Sequence, residues 1–242
     1  MMPRRKKRSS EARGRGRVAS RGEAGRAAGD SHVSPDQQRL VIAQQAARLV
    51  VEQGIDDYGL AKRKAAARLG VSAASMLPTN AMVEAALVEY QRLFGGERHW
   101  HRLRELRQGA CQAMRFFADF SPRLVGPVLS GAVSEHSAVM LHLFADDVGA
   151  VIRLLVNRDI PFRETDRRVS YGADRTVLEP ALSFSVDGVD FEALLLPVDA
   201  MRQPPISAVD GGAVRGVPLR EVEQLANEVG DALTAPADGG AG

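Results

Sequence analysis

LVGPVLSGAVSEHSAVMLHLF, residues 124–144, decides the fold. Two apolar runs, Leu124–Leu129 and Ala138–Phe144, flank the small, polar segment Ser130–Ser137. Runs of this length, rich in Val and Leu and separated by turn residues, predict strand, turn and strand. Side chains alternate along a strand. Ala138, Met140, His142 and Phe144 therefore share one face, and Val139, Leu141 and Leu143 the other. Downstream, Asp146-Asp147 opens a helix that turns Val151, Leu154 and Leu155 inward and ends near Asn157-Arg158. Three more strands are predicted, about Phe162–Tyr171, Val177–Val186 and Val189–Leu196. The last two are joined at Asp187-Gly188, a hairpin turn sequence. After Pro197 the chain reads as loop through Pro204-Pro205 and Gly211-Gly212, then as a short helix from Pro218 to about Val229.

Upstream of the quoted stretch, a helix runs from about Glu97 to Phe120, with Pro122 as its stop. Leu103, Leu106, Ala110, Met114 and Phe117 form its inner stripe, and Arg98, Arg102, Arg104, Arg107 and Arg115 lie around the rest. Further upstream the periodicity is helical again. Ser34-Pro35-Asp36 starts a first helix carrying Leu40, Ala43, Ala47 and Val50/Val51, and Gly54 ends it. A second spans about Asp57 to Leu69. After the Pro78-Thr79-Asn80 turn a third is capped by Asn80, with Val83, Leu87, Tyr90 and Phe94 on one face and Gly95-Gly96 closing it. The chain thus divides into an arm (1–33), a helical module (34–96), an α/β domain (97–199), a C-terminal loop and helix (200–233) and a tail (234–242). The fold class is α+β: a helical N-terminal module followed by a mixed sheet with helices packed on one side.

Composition narrows the function classes. The 242 residues are 45% hydrophobic and 26% charged, which suits a chain able to bury a core. The single cysteine, Cys111, excludes an internal disulfide and every multi-cysteine metal site. The longest apolar runs, such as Ala193–Val198, fall far short of the roughly 18–20 residues that cross a bilayer, so no membrane partner is expected. The net charge of +2 hides a split. Residues 1–30 hold ten of the 32 Lys and Arg but three of the 30 acids, leaving 22 bases against 27 acids in the body. An arm of that composition, with almost no large apolar residue, cannot offset its ordering entropy and is expected to be disordered. It has no apolar stretch after its basic start, so it does not read as a secretory signal. A reducing, cytoplasmic location is expected.

The order helix, strand, polar turn, strand, helix, strands over about Glu97–Val198 resembles the nucleotidyltransferase fold of the polymerase-beta-like superfamily. In that family a Gly-Ser pair follows the first strand, two aspartates one residue apart sit on the second, and a later strand supplies a third carboxylate. The glycine lets backbone amides approach a triphosphate, and the carboxylates hold divalent cations that neutralise the transferring phosphate. The resemblance puts Ser130-Gly131 at the Gly-Ser pair with the order reversed, and Ser137 at the serine before the second strand. The aspartate positions fall on Ala138 and Met140, which cannot hold magnesium. The third carboxylate falls on Glu192 or Asp190. The resemblance therefore implies a degenerate site in which Ser130, Gly131 and Ser137 contact nucleotide while Glu192, Asp190 and His142 are the remaining candidates for catalysis. The cofactor is unknown, and Mg or Mn would be required only if catalysis survives.

Two alternatives stay open. One is an active enzyme that moves a nucleotide onto RNA, protein or a small molecule. The other is an RNA- or DNA-binding accessory protein that acts through Arg4, Arg5, Lys6, Lys7 and Arg8, with Lys62, Arg63 and Lys64 as a second basic cluster. Nucleotide or RNA is the expected partner, and oligomeric state is not encoded in any motif. The stretch KAAARLGVSAASMLPTNAM, starting at Lys64, looks like a helix-turn-helix, but Pro78 would break its reading helix. His99 and His101 of His99-Trp100-His101 point about 200° apart on a helix and cannot share an ion. Cys111, in an apolar helix stripe, reads as a buried structural thiol.

Overall fold

Serine, threonine and aspartate caps set the first helices of the computed structural model, which describes residues 34–55, 57–172, 175–207, 209 and 211–234. Ser34 accepts from the Gln37 amide to start α1 (Pro35–Gln53), and Gly54, at φ +61°, ends it. Asp57 caps α2 (Tyr58–Arg68) through the Gly59 amide. Thr79, not Asn80, caps α3 (Asn80–Phe94) by accepting from the Met82 amide, while Asn80 Oδ1 accepts from Lys62 Nζ at 2.8 Å. The inner stripe of α3 is Val83, Leu87 and Gln91, an i, i+4, i+8 row; Phe94 lies off it and is 69% exposed. Between α2 and α3 the Ala74–Met76 turn is 3-10 rather than a groove-reading helix.

The α/β portion is a mixed α/β arrangement with an open five-stranded sheet. Its elements are α4 (Gly96–Phe116), β1 (Arg123–Val125), α5 (Pro127–Ser130), β2 (Val139–Phe144), α6 (Val148–Val156), β3 (Phe162–Tyr171), β4 (Arg175–Val186), β5 (Val189–Leu196) and α7 (Leu219–Thr234). The strand order is β1-β2-β5-β4-β3, with β2 and β5 parallel and every other pair antiparallel. Leu124–Leu129 is not one strand. Gly126 at φ +73° turns the chain, and Pro127, which has no N–H to leave unpaired, starts α5. The loop after Pro197 also carries structure: a 3-10 turn at Val198–Met201, and Val217 bridging Leu124 beside β1.

Among the described residues two large apolar cores and a small third cluster, Phe144, Leu196 and Ala200, result. The larger joins Val139, Leu141 and Leu143 of β2 and Phe191, Ala193 and Leu195 of β5 to α4, α6 and α7. The smaller is alanine-rich, built from α1, α2 and α3, and takes in Ala132 of the turn after α5. Arg107 corrects the expected arginine-coated surface of α4. It is 6% exposed and donates to the carbonyls of Val128 (3.2 Å), Leu129 (3.4 Å) and Leu225 (2.9 Å). Short α5 cannot satisfy its own last carbonyls, so a guanidinium reaching three carbonyls ties α4, α5 and α7 together. Burial lowers the Arg107 pKa, with Glu228 opposing that shift.

Candidate functional site

The sheet has one helix-covered face and one open face, and strand parity assigns the candidate residues between them. Met140 pairs in register with Glu192, and His142 with Leu194, so these side chains lie on the face away from α4. Ser183 and Ser185 of β4 stand opposite Glu192 and Asp190 on that same face. Both carboxylates are already committed. Arg167 donates to the two oxygens of Glu192, Nε at 2.7 Å and Nη2 at 2.6 Å, and Ser185 Oγ donates to Asp190 Oδ1. The Arg167 pKa is raised, mainly by the hydrogen bond to Glu192. His142 is 6% exposed with its Nδ1 unpartnered, and burial lowers its pKa to about 4. Its imidazole is neutral at physiological pH. Half-buried Met140 completes the face, and Ala138, expected on the same strand, precedes β2, which starts at Val139.

A glycine the sequence reading passed over completes this surface. Gly126 is exposed at φ +73°, ψ −155°, a backbone region close to glycine-only, and a Cβ built on it would lie 2.9 Å from Met140 Sδ. The signal was the Gly126-Pro127 pair, read as part of a continuous strand.

Ser130, Gly131 and Ser137 go elsewhere. Gly131, the C-cap of α5 at φ +89°, lies against Leu103 and Arg107 of α4, on the covered side of the sheet. Ser130 Oγ donates to Glu84 Oε1 of α3 at 2.8 Å, and Ser137 Oγ accepts from the Ser134 amide at 2.8 Å. The structure therefore groups Asp190, Glu192, Met140 and His142 on one face, and groups the Ser130–Ser137 turn with α3 and α4 on the other. Lys62 is tied to Asn80; Arg63 and Lys64 are exposed on α2. Arg4, Arg5, Lys6, Lys7 and Arg8 lie outside the described residues.

That turn lines a cleft of about 760 Å³, walled by the end of α1, the α3–α4 junction and the Val133–His136 segment. Arg98, His99, Arg102 and His136 face it, with Glu52 and Glu135 as the acids. Arg102 leans on Glu105 at 2.9 Å and Glu52 on Arg48 at 2.6 Å. Burial, helped by the nearby charge of Arg107, lowers the pKa of His99. At the back, Gln91 Nε2 donates to the Val133 carbonyl at 2.5 Å and its Oε1 has no hydrogen-bond partner among the described residues. His99 and His101 both lie on α4, His99 lining the cleft, and Trp100 between them packs on the larger core. Cys111 is buried, and burial raises its thiol pKa. Among the described residues no group of three His, Cys, Asp or Glu side chains could hold a metal ion, and no helix is long and apolar enough to cross a membrane.

No family model, curated protein or solved structure matches this chain.

Proposed function

We propose that this chain is a nucleotidyltransferase-like protein that binds a nucleotide or RNA without turning it over, making its phosphate contacts in the cleft beside the Ser130–Ser137 turn. The observation that carries the binding half is the convergence of Arg98, Arg102, His99 and His136 on a cleft walled by that turn. Two guanidiniums on the first turns of a helix give a phosphate both charge and directed N–H donors. The non-catalytic half rests on the open face. Two-metal phosphoryl transfer needs carboxylates clustered around a cation pair. Here the register sets Met140 beside Glu192, and Glu192 is neutralised by the bidentate Arg167.

Titration of the full chain with a fluorescent ATP analogue and a labelled RNA oligonucleotide, each with and without magnesium, tests both halves. Binding that is indifferent to magnesium and weakens about tenfold or more in Arg98→Glu is expected. Label transfer from a nucleoside triphosphate to an RNA or protein acceptor, lost in Glu192→Ala, would falsify the non-catalytic reading. A second reading is favoured by the charge split, ten bases against three acids in residues 1–30. If the arm alone binds nucleic acid, deleting residues 1–33 abolishes RNA binding and flattens its salt dependence, while Arg98→Glu leaves it unchanged.

A further inference from the structure

A second cavity, about 320 Å³, lies between the middle of α4 and the β4–β5 hairpin, on the covered side of the sheet and away from both surfaces described above. Its floor is aromatic. Phe184 and Phe191 stack with centroids 5.1 Å apart and planes 9° from parallel, Phe117 meets Phe184 edge-on at 5.9 Å, and Phe116 stands against Phe117 at 4.8 Å. The polar groups at its edge are the carboxylates of Glu105 and Asp187 and the amides of Gln108 and Gln112, with no basic residue in the lining. Arg102 holds Glu105 at 2.9 Å; Asp187, at the hairpin tip, has no ion-pair partner among the described residues.

Gly109 forms part of the cavity wall. It sits in the interior of a 21-residue helix, where glycine costs roughly 1 kcal/mol relative to alanine. Close packing does not demand it. A Cβ placed there would lie 3.5 Å from Val189 Cγ1 and 3.6 Å from Phe191 Cζ, ordinary van der Waals contact. An alanine would therefore fit and strengthen the helix, whereas any longer side chain would fill the cavity. Glycine or alanine at this position leaves the space open, and a longer side chain would enter it.

We infer that this cavity is a binding site for a small organic cation with a planar or apolar body, an aromatic amine being the type. The volume is that of a small-molecule pocket. Phe116, Ile160 and Val186, the less buried apolar side chains of the lining, supply contact for an apolar body, and Phe117, Phe184 and Phe191, at most 7% exposed, back them. The carboxylate of Asp187 gives the ammonium a counter-charge and makes an anion of the same shape unwelcome. The site shares no lining residue with the cleft at the α3–α4 junction, to which the Arg102–Glu105 ion pair links it, and the Asp187 and Gly109 variants test it without altering that cleft's lining.

Three matched probes decide the question by ligand-observed NMR on the full chain: phenethylamine, ethylbenzene and 3-phenylpropionate. Phenethylamine is expected to bind about tenfold more tightly than the anion, with the neutral probe between them. Gly109→Leu should abolish binding of all three, and Gly109→Ala should keep it. Asp187→Asn, which tolerates the φ of +51° at this position, should bring phenethylamine and ethylbenzene to within about twofold of each other while leaving ethylbenzene unchanged. Equal affinity for cation and anion in the natural chain, binding that survives Gly109→Leu, or a cation preference that survives Asp187→Asn would each overturn the proposal. Should Gly109→Leu fail to fold, the Asp187→Asn comparison carries the decision by itself.

Discussion

On the helix-covered face of the sheet, Leu141, Leu143, Ala193 and Leu195 are at most 1% exposed, while the residues alternating with them include half-buried Met140, Glu192 and Leu194. The two rows belong to the same strands and differ only in parity. One row is fixed by α4, α6 and α7 pressing on it. The other is covered only in part, by the 3-10 turn at Val198–Met201, whose Ala200 meets Phe144 and Leu196. Chemistry-bearing side chains can persist where packing does not dictate the residue, and here that row holds Glu192, Asp190 and His142. The comparison also separates stability from binding: the covered row holds the fold, and the open row is free to vary.

The largest expected effect tests the covered row. Leu141→Ala removes a side chain 1% exposed at the centre of the larger core and should cost about 2–5 kcal/mol. Met140→Ala, one residue away and half-buried, should cost under about 1.5 kcal/mol. Urea unfolding followed by circular dichroism gives both values. Equal losses would mean that the open face is packed against something, and the contrast between the faces would fail.

His142 is buried on the open row, as Phe144 and Leu196 are at its end, and it sharpens the contrast through pH. Its folded pKa of about 4 lies below the unfolded value near 6.5. Above pH 6.5 both states are neutral and its contribution is fully present. As pH falls from 6.5 towards 4 only the unfolded chain takes up the proton, so stability drops, by up to about 3 kcal/mol. His142→Leu should remove that part of the pH dependence while leaving stability at pH 7.5 within about 1 kcal/mol. Urea midpoints at pH 7.5 and 5.0, compared between the two proteins, check it; parallel curves would show that the imidazole is solvated.

Local chemistry made much of this structure legible and long-range chemistry did not. Ser34 and Gly54 bound α1 as expected, and the Asp187-Gly188 turn places β5 at Val189–Leu196 residue for residue. In both cases the deciding groups are within a few positions of the boundary they set. The failures are contacts between distant segments. Nothing near Arg107 says that carbonyls of Val128 and Leu225, 21 and 118 residues away, will neutralise its burial. Nothing near Gln91 says that it will reach Val133 and displace Tyr90 and Phe94 from the inner stripe of α3. Strand parity put Met140 and His142 on one face of β2, and the β2–β5 register adds Glu192 to it, but whether the Ser130–Ser137 turn folds to that face or behind it depends on Gly126-Pro127 and on where α3 offers Glu84. That choice divided the expected single pocket into two surfaces.

The smallest expected effect concerns the Arg167–Glu192 pair, and it bears most directly on the open face. Its side chains are 52% and 21% exposed, so solvent screening should hold its coupling to under about 1 kcal/mol in a double-mutant cycle of Arg167→Met and Glu192→Gln. The cycle should shrink further in 0.5 M salt. A pair worth so little to the fold is not there for stability, yet it decides what the carboxylate can do: with Arg167 in place the position is neutral and has no claim on a cation. Removing Arg167 alone should still leave magnesium unbound by calorimetry, because one carboxylate beside Ala138 and Met140 supplies too few ligands. The triple variant Ala138→Asp, Met140→Asp, Arg167→Met should gain measurable magnesium binding if β2 and β5 hold those positions as the register sets them. A triple variant that folds and binds no magnesium would show that the open face lacks the geometry of a metal centre, not merely its charges.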